Sequence, residues 1–320
     1  MQLDALATEP HFLDHLAAIW SALPARQRGR FAVRPELAER ARSHGIKPST
    51  TLTGGQRPVI VAAYGDLKRA RAAGRERIAF AEHGAGQSYS NDHPSYSGGK
   101  DRGDVGLFLV PNQHAADRNR ARYPDTRIDV IGCPKLELLP KRAKPEDDRP
   151  TIAISFHWQC GVSFETRSAW RAYRNVLPQL AKTYRVLGHA HPKMLGTVRP
   201  YYERLGIEVV SDFADVCRRA DLYVCDNSST LYEFASTGRP VVVMNAPWYR
   251  RRVKHGLRFW DAAGVGINVD RQQQLIAAIK RGLADPADVR RDRQAALRVA
   301  YAYRTGAAKR AATALLEWAS

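Results

Sequence analysis

Short apolar runs separated by amphipathic stretches recur along the 320-residue chain, and part-way through it the alternation starts afresh. That pattern limits the fold more than any other feature. Strands apolar on both faces must be covered on both sides by helices, which gives stacked βαβ units on a parallel sheet. In the first half the runs Val59–Ala62, Ile78–Ala81, Val105–Val110 and Ile128–Ile131 predict strands, with Phe31–Val33 a weaker candidate and a helix over Asn112–Tyr123. Residues 140–150 are polar and carry three prolines, the composition of a linker. The second half predicts strands at Ile152–Phe156, Tyr184–Gly188, Glu208–Val210, Leu222–Cys225 and Val241–Met244, and helices at Ser168–Lys182, Phe213–Arg219, Thr230–Thr237 and Gln272–Leu283.

The length exceeds what one hydrophobic core serves, and 44% apolar residues suffice to build two. The expected plan is α/β: a Rossmann-like acceptor domain over 1–139, the linker 140–150, and a Rossmann-like nucleotide-donor domain over 151–285. Helices over 286–320 are expected to pack back toward the first domain. Two doubly wound halves would face a cleft, with ligands beyond the carboxyl ends of the strands.

Several classes are disfavoured. The longest apolar runs, such as Val241–Met244, are far too short to span a bilayer, and Met1–Trp20 lacks the basic head and apolar body of a signal peptide. A cytoplasmic protein is expected. Cys133, Cys160, Cys217 and Cys225 show no metal-like spacing and read as buried thiols of a reducing compartment. The net charge of +18 is large for an enzyme of small metabolites and favours a polyanionic partner over mere solubility.

Chemistry should lie just after the strands. After Leu222–Cys225 come Asp226, Asn227, Ser228, Ser229 and Thr230, then Glu233. Small hydroxyl residues opening a helix suit a phosphate, and Glu233 could accept from ribose hydroxyls. A plain N-cap is the bland alternative. After Tyr184–Gly188 come His189, His191 and Lys193, cations able to hold diphosphate oxygens. His189 also reads as a structural histidine. His157 and Trp158 end the first strand of the second half and could touch the base. After Ile78–Ala81 comes Glu82-His83-Gly84, where His83 could deprotonate an acceptor hydroxyl and Glu82 orient it. The Gly- and Ser-rich segment that follows offers Tyr89, His93, Tyr96, Lys100 and Arg102 as acceptor contacts, or is only a solvated loop.

In this order the segments resemble the CDP-glycerol glycerophosphotransferase family of teichoic acid enzymes, and more loosely the GT-B glycosyltransferases and nucleotide-sugar epimerases. His83-Gly84 is similar to the family's His-Gly motif, Gly132-Cys133-Pro134-Lys135 to its Gly-Tyr-Pro-Arg turn, and Phe156-His157-Trp158 to its Thr-Trp-Arg strand end. His191-Pro192, Asp226-Asn227-Ser228-Ser229 and Gly238-Arg239-Pro240 followed by Tyr249 continue the likeness from about His83 to Trp260. Asn227 replaces the tyrosine of Asp-Tyr-Ser-Ser, and the arginine of Arg-x-His-Pro is missing. The resemblance implies a GT-B-like transferase in which His83 is the catalytic base.

The resulting expectation is a metal-independent transferase with no bound cofactor. It would take a UDP-sugar or CDP-glycerol-type donor as co-substrate and pass a sugar or glycerophosphate to a hydroxyl on a polyanion. DNA carrying a hydroxylated base, as in phage-type DNA glycosyltransferases, is favoured over a membrane-linked envelope polymer. Arg250-Arg251-Arg252, Lys254, Lys280-Arg281 and the Arg290–Arg298 region would grip its phosphates. A teichoic-acid-type glycerophosphotransferase, a nucleotide-sugar 2-epimerase using Asp66, Asp92 or Asp104, and a non-catalytic nucleic-acid-binding module are the alternatives. The oligomeric state is left open.

Overall fold

The computed structural model describes residues 1–52, 54–85, 93–144, 148–161, 164–249 and 263–320. They form two compact units, Met1–Leu138 with Ala300–Ser320, and Leu139–Val299.

The first unit runs β1 (Leu3–Ala7), α1 (Pro10–Ala22), β2 (Arg28–Val33), α2 (Ala38–Ser43), β3 (Pro48–Ser49), β4 (Val59–Val61), α3 (Tyr64–Ala72), β5 (Ile78–Ala81), β6 (Val105–Val110), α4 (Gln113–Arg122) and β7 (Arg127–Val130). Its seven strands lie in the order β3-β2-β1-β4-β5-β6-β7, with every pairing parallel. The order reverses at β1, and the crevice beyond that switch point is where doubly wound sheets take ligands.

β1 is central, yet the apolar pattern passes over it because Asp4 interrupts it. Asp4 is buried among polar partners. It accepts from the Arg30 amide at 2.8 Å and pairs with the buried Arg75 guanidinium. A buried carboxylate is tolerated only when so compensated.

The second unit runs β8 (Thr151–Phe156), α5 (Trp170–Tyr173), α6 (Leu177–Thr183), β9 (Arg185–Ala190), α7 (Pro192–Arg204), β10 (Glu208–Val209), α8 (Phe213–Arg219), β11 (Leu222–Cys225), α9 (Thr230–Ala235), β12 (Val241–Met244), β13 (Ile267–Val269), α10 (Leu275–Ala284) and α11 (Ala287–Ala300). Its sheet order is β10-β9-β8-β11-β12-β13, again parallel throughout, with the switch at β8. The single helix predicted over Ser168–Lys182 is instead α5, a 3-10 turn at Arg174–Val176 and α6. Pro178, near the start of α6, has no N–H to bond back into a preceding turn. The sequence reading omits α7, whose Gly196 and Pro200 disguise its helical period. It also omits the short β13.

The last helix, α12 (Ala307–Ala319), belongs to the first unit. Ala311, Ala312, Ala314 and Leu315 share one core with Leu13, Leu16, Ala17 and Trp20 of α1. A Cβ at Gly106 would sit 2.9 Å from Nε1 of Trp318, so β6 needs glycine where α12 crosses it. In the second unit a Cβ at Gly188 would fall 2.5 Å from the Tyr202 ring, and glycine there lets α7 lie against β9.

Candidate functional site

In the first unit the candidate groups gather at the carboxyl ends of β1, β4 and β5. His83 follows β5, and its Nδ1 lies 2.8 Å from the Ala62 carbonyl at the end of β4. A carbonyl only accepts, so Nδ1 carries the proton and, in the neutral ring, Nε2 is the basic nitrogen. Phe12 of α1 stands edge-on to the ring at a centroid distance of 4.7 Å, with His11 at 5.9 Å and His15 at 6.2 Å. These three α1 residues are not among those that the strand-end pattern singles out. Pro10 at the first turn, followed by His-Phe-Leu-Asp-His-Leu, was the available signal for a helix opening at a strand end.

Glu82 does not orient His83. It is buried, accepts from Asn119 Nδ2 at 2.8 Å and from Ser97 Oγ, and pairs with the Arg102 guanidinium at 3.4 Å. Arg102 is likewise withdrawn from any acceptor. It is fully buried, donates through Nε to the Pro94 carbonyl at 2.7 Å, and lies over the Phe80 ring. Both expectations fail for one reason: a buried carboxylate and guanidinium neutralise each other, and here they pin the segment after residue 93 to the sheet. His93 is half-buried and takes the Ser95 amide on Nδ1 at 3.2 Å. Burial and then Arg102 push its pKa down. Tyr96 is half-buried beside His93, and Lys100 is exposed. Tyr89, and the arginines 250–252 with Lys254, lie outside the described residues.

Two of the three carboxylates considered for an epimerase, Asp66 and Asp104, are engaged by protein partners. Asp66 is buried and accepts from the Thr8 amide at 3.3 Å and from the Thr8 hydroxyl. Burial pushes its pKa up to about 6, against the Thr8 bonds. Asp104 is paired with Arg71, and Asp92 lies outside the described residues.

In the second unit the carboxyl ends of β9, β8 and β11 lie side by side. The His191 amide donates to the Phe156 carbonyl at 3.0 Å, joining β9 to β8. Asp226 joins β8 to β11: its Oδ1 takes the His157 amide at 2.8 Å and the Asn227 amide at 2.7 Å, and its Oδ2 the Ala169 amide at 2.8 Å. With no exposed surface and its oxygens engaged, Asp226 shapes the turn rather than holding a donor, contrary to the expectation for it.

Around that brace the predicted donor residues meet. The His157 and His191 ring centroids are 5.5 Å apart and those of Trp158 and His191 5.9 Å, and the Lys193 ammonium lies 4.5 Å from the Trp158 ring centre. His191 caps α7 by accepting the Lys193 amide on Nδ1 at 3.2 Å, so in the neutral ring Nε2 carries the proton and can donate. Ser228 Oγ accepts from the Thr230 hydroxyl at 2.8 Å and the Thr230 amide at 3.3 Å, which leaves its own proton to give. Ser229 Oγ reaches Glu233 at 3.4 Å, and Glu233 is buried rather than turned out to a ribose. α9 is only six residues long, so the dipole expected to hold a phosphate there is weak, and the side chains must carry the binding. His189 is structural: it is buried, with Nδ1 2.9 Å from Ser155 Oγ.

Asn227 stands apart from its neighbours. It is 2% exposed, and neither its Nδ2 nor its Oδ1 has a hydrogen-bond partner. A buried carboxamide without partners costs on the order of 1–3 kcal/mol, a cost that a bound ligand would relieve. Among the described residues no group of three or more His, Cys, Asp and Glu side chains could hold a metal ion, and no helix is long and apolar enough to cross a membrane.

Residues 165–316 match the family CDP-Glycerol:Poly(glycerophosphate) glycerophosphotransferase. The match takes in His191, Lys193 and the Asp226–Glu233 segment. Solved structures share the fold over nearly the whole chain. The wall teichoic acid polymerase TagF is 12% identical, with 99% of this chain and 89% of that one covered and a TM-score of 0.62. S. aureus MnaA, solved with UDP, is 15% identical, with 98% of this chain and 95% of that one covered and a TM-score of 0.66. The UDP-GlcNAc 2-epimerase of Neisseria meningitidis, bound to UDP-GlcNAc, is 12% identical, with 99% of each chain covered and a TM-score of 0.64. No curated protein matches the sequence. The two Rossmann-like sheets are thus of GT-B type, and with the family match they support a GT-B-type transferase related to the nucleotide-sugar and CDP-glycerol enzymes.

Proposed function

We propose that the protein transfers glycerophosphate from CDP-glycerol to a hydroxyl of a poly(glycerophosphate) chain. The observation that carries this reading is the family match over 165–316, which encloses the residues grouped at the ends of β9 and β11. The second unit would hold the donor: His191 Nε2–H, Lys193 and the Ser228 hydroxyl on its phosphates, Asn227 on a further polar atom, and Trp158 and His157 against its base or ribose. The first unit would supply the base. His83 Nε2 takes the acceptor's proton, the acceptor oxygen bonds to the glycerol-bearing phosphorus, the bridging P–O bond breaks, and CMP leaves with the bridging oxygen. Ala62, not Glu82, fixes the tautomer that makes this possible.

The polyanion that a charge of +18 suits is then the acceptor polymer itself. Neither the match nor the fold neighbours point to a DNA acceptor, and we set that expectation aside. Four buried free cysteines fit a reducing, cytoplasmic setting.

The test is CMP release from CDP-glycerol in the presence of short poly(glycerophosphate), run beside UDP-GlcNAc alone. Acceptor-dependent CMP release supports the proposal. Conversion of UDP-GlcNAc to its 2-epimer, with no CMP formed, would replace it with the epimerase reading that several fold neighbours favour.

A further inference from the structure

We propose that His15 is a positioning residue which, as a permanently neutral imidazole, holds the turn that carries His83. The proposal rests on the reading of His83 as the base.

His15 lies on α1, 3% exposed. Its Nε2 is 3.3 Å from the amide nitrogen of Gly84, the residue after His83. An amide only donates, so Nε2 must be unprotonated. The ring proton then sits on Nδ1, which faces the Cys133 sulfur at 3.9 Å, a weak acceptor. Gly84 has φ +73, a conformation that suits glycine, and its amide bond to His15 ties that reversal to α1. The chain at His83 is thus held twice: by its own ring on Ala62, and by the next amide on His15.

The surroundings keep His15 neutral. Burial pushes its pKa well down, followed by Lys135, His83 and, more weakly, His11, against the opposing pull of Asp14. Asp14 and His11 face it from its own helix, Lys135 and Cys133 from the segment after β7, and His83 from the β5 turn. Asp14 is itself engaged, bonded by Arg40 at 2.7 Å and His44 at 3.2 Å, and its upward pull on His15 is outweighed by burial and the neighbouring cations. A charged imidazole would have no lone pair for Gly84 and would release the turn.

Nitrogen-15 NMR of the histidine-labelled wild-type protein tests this without any substrate. The expected result is a His15 ring protonated on Nδ1 alone between pH 5.5 and 8. A His15 that is protonated on Nε2 or doubly protonated in that range overturns the proposal, whatever reaction the protein performs.

Two variants test the link to His83. His15→Gln places an acceptor near the Nε2 position, whereas His15→Met fills the space without one. With CDP-glycerol and poly(glycerophosphate), His15→Met should lose about 10–100-fold in kcat at unchanged KM for CDP-glycerol, and His15→Gln should recover most of that. Equal rates for the two variants would reduce His15 to packing and sink the proposal. Should no CMP form even in the wild type, the transfer reading fails by itself. The His83 resonances then decide: a changed tautomer balance in His15→Met, restored in His15→Gln, supports the positioning role, and unchanged resonances refute it.

Discussion

The turns after β5 and after β11 are built alike and finished differently. Each begins with a buried carboxylate, Glu82 or Asp226, that accepts several protein donors. Each follows it with the residue of chemical interest. In the first unit that residue, His83, is held in place, its Nδ1 on Ala62 and the next amide on His15. In the second unit that residue, Asn227, is buried with both polar atoms unpartnered. A base gains by being fixed before the substrate arrives, because preorganisation removes a cost from the transition state. A binding group can afford to be left unsatisfied, because the ligand then relieves it. The contrast teaches that the acid preceding a site residue is a brace in both units.

The largest expected effect tests the first half of that contrast. His83→Gln should lower kcat for CMP release by roughly 10²–10⁴-fold, the usual worth of a general base, while CDP-glycerol binding measured by calorimetry stays unchanged. Loss of binding together with rate would make His83 a donor contact and erase the difference between the turns.

The brace itself comes next. Asp226→Ala removes the acceptor of the His157, Ala169 and Asn227 amides at once. Orphaning several buried donors should cost about 3 kcal/mol or more, read as a lowered midpoint in urea denaturation at constant m-value. An unchanged midpoint would mean that the three turns are held together by something other than this carboxylate.

How much of this could be read from the chain follows from the same physics. The two parallel sheets were legible because uninterrupted apolar runs such as Val105–Val110 and Val241–Met244 have few other ways to fold. β1 was not, because Asp4 breaks its run, and its compensation by Arg75 is 71 residues away in sequence. Candidate positions are legible only as strand ends, which is why His83, His191 and Ser228 fall where polar groups gather. Their roles were less so. Whether a strand-end acid faces a ligand or the protein depends on what packs above it. Glu82 meets Asn119 from α4 and Asp226 meets Ala169 from before α5, pairings that no local pattern announces. His11, Phe12 and His15 were hidden because their helix follows the one strand that the apolar pattern missed.

A pH measurement sharpens the account of how the first turn is held. Ala62, which accepts from His83, leads into α3, and Asp66 in the first turn of that helix is fastened to Thr8 at the end of β1. With its pKa pushed up to about 6 from an unfolded value of 3.8, Asp66 binds its proton more tightly in the folded state. Its burial is therefore harmless below about pH 4 and becomes a growing cost as pH rises through 6. Asp66→Asn keeps an acceptor for Thr8 and removes the charge. It should stabilise the protein by on the order of 2 kcal/mol at pH 8, with the gain fading to nothing near pH 4 in thermal melts. A stability gain independent of pH would show that Asp66 does not titrate as its burial requires.

The smallest effect bears most directly on the contrast, since it asks whether Asn227 is unsatisfied for a purpose. Asn227→Leu keeps nearly the same volume and removes two buried polar atoms that have no partner within the protein. If the carboxamide is only a burden in the free protein, the variant should be more stable by about 1 kcal/mol. If it also serves the donor, the same variant should bind CDP-glycerol at least several-fold more weakly, so that stability and affinity move in opposite directions. A variant that is more stable and binds equally well would leave Asn227 without a ligand. A less stable one would mean that the carboxamide already has a partner in the folded protein. Only the opposed pair of changes preserves the distinction between a turn completed by its own chain and one completed by what it binds.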